Sequence, residues 1–110
     1  MDTIKGMHYI LRTEEFDRWL SRLKDLRARA KIIVRIRSAE SGNLGDIEPI
    51  GSGLSEFRIH YGPGYRIYVK QKGKILLLLL CGGTKNTQKK DIERAKSLIK
   101  KYEDTLDEWS

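Results

Sequence analysis

Cysteine is almost missing from this chain: Cys81 stands alone, so no intrachain disulfide can form, which suits a reducing cytoplasm. With His8 and His60 as the two histidines and no C-x-x-C, the sequence offers no zinc-type ligand cluster. It has no G-x-x-x-x-G-K-[ST] phosphate loop and no G-x-S-x-G nucleophile elbow. Long apolar runs are absent too. The N-terminus, MDTIKGMHYI, lacks the apolar core of a signal peptide, and the longest run, Ile75 to Cys81, is far too short to span a bilayer. No repeat, low-complexity tract or long linker divides the 110 residues, so residues 1–110 read as one domain.

Charge is abundant and one-sided. Hydrophobic residues make up 39% and charged residues 34%, a globular composition, and the formal net charge is +7. A field of that sign draws nucleic acid or an acidic protein, although a basic protein that is merely soluble has the same composition.

The apolar spacing predicts the elements. Met7–Leu11 reads as a short strand. Thr13 is a candidate N-cap, with Glu14 and Glu15 at the positive end of a helix whose Phe16, Trp19, Leu20 and Leu23 form one apolar face. In Leu26–Ser41, Ala30, Ile32, Val34 and Ile36 alternate like a strand, while Leu26, Ala30, Ile33 and Val34 fit a helix face; length and the absence of Gly or Pro favour a helix ending before Gly42. Gly42–Gly53 is a glycine-rich loop. Strands are predicted at Ser55–Tyr61, Tyr65–Gln71 and Lys74–Cys81, with Lys72-Gly73 closing the second hairpin. The run ILLLLLC should be central and buried on both faces. From about Thr87 an amphipathic helix carries Ile92, Ala95, Ile99, Tyr102, Leu106 and Trp109 on one side and Lys89, Lys90, Arg94, Lys96, Lys100 and Lys101 on the other. Acids at its C-terminus oppose the helix dipole, so its last turns should fray unless Trp109 docks.

The chemistry concentrates in SEFRIHYGPGYRIYVK, Ser55–Lys70. Alternation puts Glu56, Arg58 and His60 on one face of the first strand and Arg66, Tyr68 and Lys70 on one face of the second. The apolar sets of the two strands meet only across a loop of odd length. The expected register places His60 opposite Arg66, Arg58 opposite Tyr68 and Glu56 opposite Lys70. Such a face holds what cleavage of RNA by its own 2′-hydroxyl requires. Arg58 and Arg66 are the candidates to stabilise the phosphorane, because a guanidinium binds phosphate bidentately and stays charged. An imidazole titrates near neutrality, which makes His60 a candidate base or acid. Tyr61, Tyr65 and Tyr68 are candidates to stack on bases. Lys70, Lys89 and Lys90 could contact phosphates, and Lys85 leaves the last strand near a helix N-terminus, where anions are favoured. Against this stands the plainer reading of alternating charges as the wet side of an open sheet, and of Lys85 as a loop lysine.

Four ordered blocks add to that reading: GNLGD (Gly42–Asp46), the spaced G-x-G-x-x-E-x-R-I (Gly51–Ile59), YGPGYRIY (Tyr61–Tyr68) and LLLCGGTKNTQKKDIERA (Leu78–Ala95). With them the chain resembles the RelE/HigB/ParE toxin superfamily of type II toxin–antitoxin systems, in the branch of phage-derived addiction module killer proteins, over nearly its whole length. The resemblance implies an α+β, RelE-like fold: two N-terminal helices packed on a small antiparallel sheet, with a C-terminal helix. It implies a metal-independent endoribonuclease that needs no cofactor and cleaves mRNA on the ribosome. The implied partner is a cognate helix-turn-helix antitoxin, through which alone the toxin would meet DNA. Arg66 matches the transition-state arginine of such enzymes, Arg58 an earlier arginine of the same hairpin, and Lys85 a basic residue after the last long strand. Where some members carry a histidine or tyrosine after that strand, this chain has Asn86, Thr87 and Gln88. The resemblance therefore names no general acid, and the place of His60 rests on strand geometry alone. The alternative within the superfamily is a non-enzymatic inhibitor of DNA gyrase, of the ParE kind.

Overall fold

A computed structural model of the chain describes residues 9–73 and 76–109. Strand β1 (Tyr9–Arg12) leads into helices α1 (Glu14–Arg22) and α2 (Leu26–Glu40). Strands β2 (Ile47–Gly51), β3 (Leu54–Ile59), β4 (Tyr65–Lys72) and β5 (Leu76–Thr84) follow, then a single 3-10 turn (Lys85–Thr87) and the long helix α3 (Gln88–Trp109). The expected starts of the first strand at Met7 and the last at Lys74, and the docking of the Trp109 side chain, lie outside the described residues.

The helices begin where local chemistry stops the preceding chain. Thr13 accepts the Phe16 N–H and opens α1, with Glu14, Glu15 and Asp17 in its first turn. The Asp25 carboxylate accepts from the Arg27 and Ala28 N–H groups and opens α2. The ambiguous segment from Leu26 is thus a helix. Its buried face is not the expected Leu26, Ala30, Ile33 and Val34 but Ala28, Ile32, Ile36 and Ala39, at spacings of three and four, and Leu26 and Val34 are exposed.

The expected fold class is overturned at the sheet. In place of a small antiparallel sheet under two N-terminal helices there is a five-stranded mixed sheet in the order β1-β5-β4-β3-β2. A strand in the N-terminal half, β1, pairs parallel with β5, placing Leu11 beside Leu78. Another, β2, forms from what read as loop and pairs antiparallel with β3. Edge strands need no two-faced apolar pattern. Pro49 costs β2 little there, because an edge has one side with no ladder to donate to. A single long C-terminal helix, α3, forms a layer of its own.

The sheet is covered on both faces. Phe16, Leu20, Ile32 and Ile36 of α1 and α2 pack on Phe57, Ile59, Ile67, Val69, Leu77 and Leu79. On the other face, Ala95, Leu98 and Leu106 of α3 pack on Leu54, Tyr68, Leu78, Leu80 and Cys81. β5 lies between β1 and β4 and between the two helical layers, and its residues Leu77 to Leu80 are at most 3% exposed. A bulge changes its facing: Tyr68 pairs with Cys81 but Val69 pairs with Leu79, which leaves Leu80 as the extra residue. Both Leu80 and Cys81 therefore face α3, and burial pushes the Cys81 thiol up to about 12. None of the described helices is long and apolar enough to cross a membrane.

Beyond the bulge, Gly82 and Gly83 let helices close onto the strand. A Cβ at Gly82 would enter the Trp19 ring, and one at Gly83 would collide with the Asp91 carboxylate. Asp91 is itself buried at the start of α3 and accepts the Thr87 hydroxyl. Glu15 joins the two helical layers by accepting from Lys101 Nζ and from Tyr102 Oη, each at 2.9 Å. Helix α3 is continuous to Trp109, with Leu106 buried and Lys72 Nζ 3.4 Å from Asp107; the expectation that its last turns fray unless Trp109 docks turns on a side chain outside the described residues.

Gly82→Ala should overpack the α1 contact and cost about 1–3 kcal/mol, read from the urea midpoint. The bond from Lys101 first, with Tyr102 adding to it, holds the Glu15 carboxyl down at about 2, from 4.5. A carboxyl lowered in the folded state contributes its full stability above about pH 4.5 and loses it as pH falls towards 2. Wild type should therefore lose about 1 kcal/mol more than Glu15→Gln across that window, a modest figure because the Lys101 end of the pair is exposed.

Candidate functional site

The β3–β4 hairpin builds the site. Its loop has five residues, His60–Gly64, and is closed by the Gly64 N–H donating to the Tyr61 carbonyl at 3.0 Å. Gly64 has φ +81°, a left-handed conformation that a side chain would strain, and a Cβ there would stand 3.4 Å from both Arg66 Nη1 and Lys85 Cβ. The odd loop length brings the apolar sets together as expected, with Phe57 opposite Ile67. The register itself corrects the expected pairs. Arg58 lies opposite Arg66, and Glu56 opposite Tyr68, while His60 falls in the loop and pairs with no strand residue. Either register keeps every residue on its face, so alternation alone could not choose between them.

Both guanidiniums are held by carboxylates. Arg58 Nη2 is 2.8 Å from Glu48 Oε2 and 3.3 Å from Asp46 Oδ1, both supplied by β2 and the residue before it. Arg66 is buried: its Nε lies 3.4 Å from Glu56 Oε1, and its Nη1 donates to the Tyr65 carbonyl at 3.2 Å. Glu56, also buried, accepts from Gln88 Nε2 at 2.9 Å. The Nε of Arg58 and of Arg66 are buried without a hydrogen-bond partner among the described residues. His60 is exposed, and its Nε2 lies 2.6 Å from Asp46 Oδ2. That bond, with Arg58 close by, holds the Asp46 carboxyl below its ordinary range. The Lys85 N–H donates to the Gly64 carbonyl at 2.7 Å, which draws the start of the 3-10 turn against the hairpin loop.

Arg58, Arg66, Lys85, His60 and Tyr61 thus share one concavity of about 640 Å³, with Glu56 and Gln88 in its wall. Arg35 fixes the approach: its guanidinium donates to the carbonyls of Leu44, Asp46 and Arg58, and burial lowers its pKa. A cation and an exposed, carboxylate-held imidazole beside an open concavity form an arrangement able to bind a phosphate and exchange a proton.

The other candidates stand elsewhere. Tyr65 is buried against α1, its ring edge-on to Trp19 at 6.3 Å, and Tyr68 lies wholly buried under α3. Burial raises both phenols, and neither ring can stack on a base. The error was to treat every tyrosine of the hairpin as surface, although α3 covers the far half of the polar face. Lys70 lies four residues along β4 from Arg66, beside Gly53. Lys89 and Lys90 line a separate shallow hollow with Asn86, Thr87 and Glu93. Tyr61 remains beside the concavity, with the Lys31 ammonium 5.1 Å over its ring. Asp46, Glu48 and Gln88 were not foreseen. Asp46 closes the GNLGD block and could have been suspected, whereas nothing local marks Gln88.

No family model matches the chain. An uncharacterized protein of Haemophilus influenzae is 54% identical over 86 residues, which cover 78% of this chain and 87% of that protein. The chain belongs to that protein's family. The name of that relative assigns no activity to the shared residues.

Removing the carboxylate of a buried pair strands its partner's charge, so Glu56→Ala should lose about 3–5 kcal/mol. Glu48→Ala, at an exposed carboxylate, should change stability by less than about 1 kcal/mol. Equal losses in urea unfolding would show that burial does not set the strength of these contacts.

Proposed function

We propose that the chain is the toxin of a type II toxin–antitoxin pair, a metal-independent endoribonuclease acting on mRNA in the cytoplasm. The observation that carries this reading is Arg58 lying directly opposite Arg66 on one sheet face, beside a concavity that Lys85, His60 and Tyr61 share. Resemblance to the RelE/HigB/ParE superfamily in four ordered blocks supports it, and the net charge of +7 suits a polyanionic substrate.

In this reading the RNA 2′-oxygen attacks phosphorus as the bond to the 5′-oxygen breaks, giving a 2′,3′-cyclic phosphate and a 5′-oxygen that takes a proton from solvent water to leave as the hydroxyl. Arg58 and Arg66 meet the charge that builds on the phosphorane oxygens. Lys85 adds a cation at the mouth. His60, held by Asp46 at Nε2, is the base that accepts the 2′-proton at its other ring nitrogen, Nδ1. Tyr61 flanks the path of a splayed base. The internal ion pairs of Arg58 are half exposed and loosely held at Asp46, so a phosphate oxygen can replace a carboxylate there. A helix-turn-helix antitoxin would be the partner that silences the toxin.

Brief induction in a bacterial host followed by mapping of transcript 5′ ends tests the reading. In-frame cuts within translated regions are expected, and Arg66→Lys, which keeps the charge but loses the planar fork, should reduce them about a hundredfold. Growth arrest with transcripts intact would sink the nuclease and point to the gyrase-inhibiting alternative.

A further inference from the structure

Glu56 stands between Arg66 and the first residue of α3. One of its oxygens lies 3.4 Å from Arg66 Nε and the other accepts from Gln88 Nε2 at 2.9 Å. The Glu56 and Arg66 side chains are 5% and 8% exposed, so solvent screens their attraction little. Glu56 is buried, with one oxygen hydrogen-bonded to Gln88 and the other facing Arg66, so its influence passes through that partner. Arg66 is held by one hydrogen bond, from Nη1 to the Tyr65 carbonyl, and by the charge of Glu56 3.4 Å from its Nε, an ion-pair contact without a hydrogen bond. Gln88 reaches Glu56 because Ala95, Leu98 and Leu106 seat α3 on the sheet and Asp91 packs against Gly83.

We infer that Glu56 and Gln88 are positioning residues for Arg66: the first side chain of α3, acting through a buried carboxylate, sets the angle at which the guanidinium meets a phosphoryl group. The catalytic consequence rests on the nuclease reading above; the orientation of Arg66 does not. A buried carboxylate fixed by its own hydrogen bond attracts the guanidinium to one position, and a misplaced donor loses transition-state stabilisation before it loses ground-state binding.

The test uses the full chain with Gln88→Ala and Glu56→Gln, the latter keeping a hydrogen-bonding oxygen. On an RNA substrate, Gln88→Ala should lower kcat about tenfold with KM within about twofold, and Glu56→Gln should retain an unaltered shape of the pH–rate profile. The Arg66 Nε–H resonance in an ¹⁵N spectrum should be distinct from free arginine in wild type and shift in Gln88→Ala, while backbone amides away from the site stay in place. An unchanged kcat, an unmoved Arg66 resonance, or an acidic limb that vanishes in Glu56→Gln, as for a general base, would each overturn the inference. If wild type cleaves no RNA, the nuclease reading falls and the resonance alone decides: retained in Gln88→Ala it refutes the positioning role, and lost it upholds it.

Discussion

The structure depends on one constraint, the burial of β5 on both faces and along both edges. A run of leucines with no polar interruption cannot face water, so strands must flank it and helices must cover it twice. β1 and β4 supply the edges, α1 and α2 one cover, α3 the other. The run ends at two glycines against which Trp19 and Asp91 close, and the chain then leaves the sheet beside the β3–β4 hairpin. Lys85 and Gln88 reach the site because β5 ends there.

Charge at the site differs from charge over the whole chain. The protein carries a net +7, yet around the concavity Asp46, Glu48 and Glu56 are set against Arg58, Arg66 and Lys85. Much of the surplus lies on α2, where Arg27, Arg29, Lys31, Arg35 and Arg37 stand against Glu40 alone and can raise the local concentration of a polyanion without choosing where it reacts. Within the site a phosphate has to compete with carboxylates already in place, which favours a ligand of the right shape over any passing anion. The imidazole of His60, held by Asp46, is exposed, as are Glu48 and Lys85.

Much of this was legible beforehand. The helical faces of α1 and α3, the N-cap at Thr13 and the central burial of β5 follow from spacing and composition, and so do the odd hairpin loop and the shared face of Arg58 and Arg66. The mixed sheet was not legible, because β1 and β2 are short edge strands whose residues satisfy no two-sided apolar pattern. Tyr65 and Tyr68 misled for the opposite reason. A tyrosine suits a wet face and a core equally well, and only the cover of α3 buried Tyr68.

By itself the sequence determined which face each residue of β3 and β4 takes, since alternation has a period of two, and which faces of α1 and α3 are apolar; the buried face of α2 and the bulge in β5 it did not determine. Tertiary structure decided which residues stand opposite one another. A slip of two positions leaves every face unchanged yet exchanges the partner of Arg66 from His60 to Arg58. It also decided that Gln88 meets Glu56, 32 positions apart, because that contact exists only once α3 lies across the sheet.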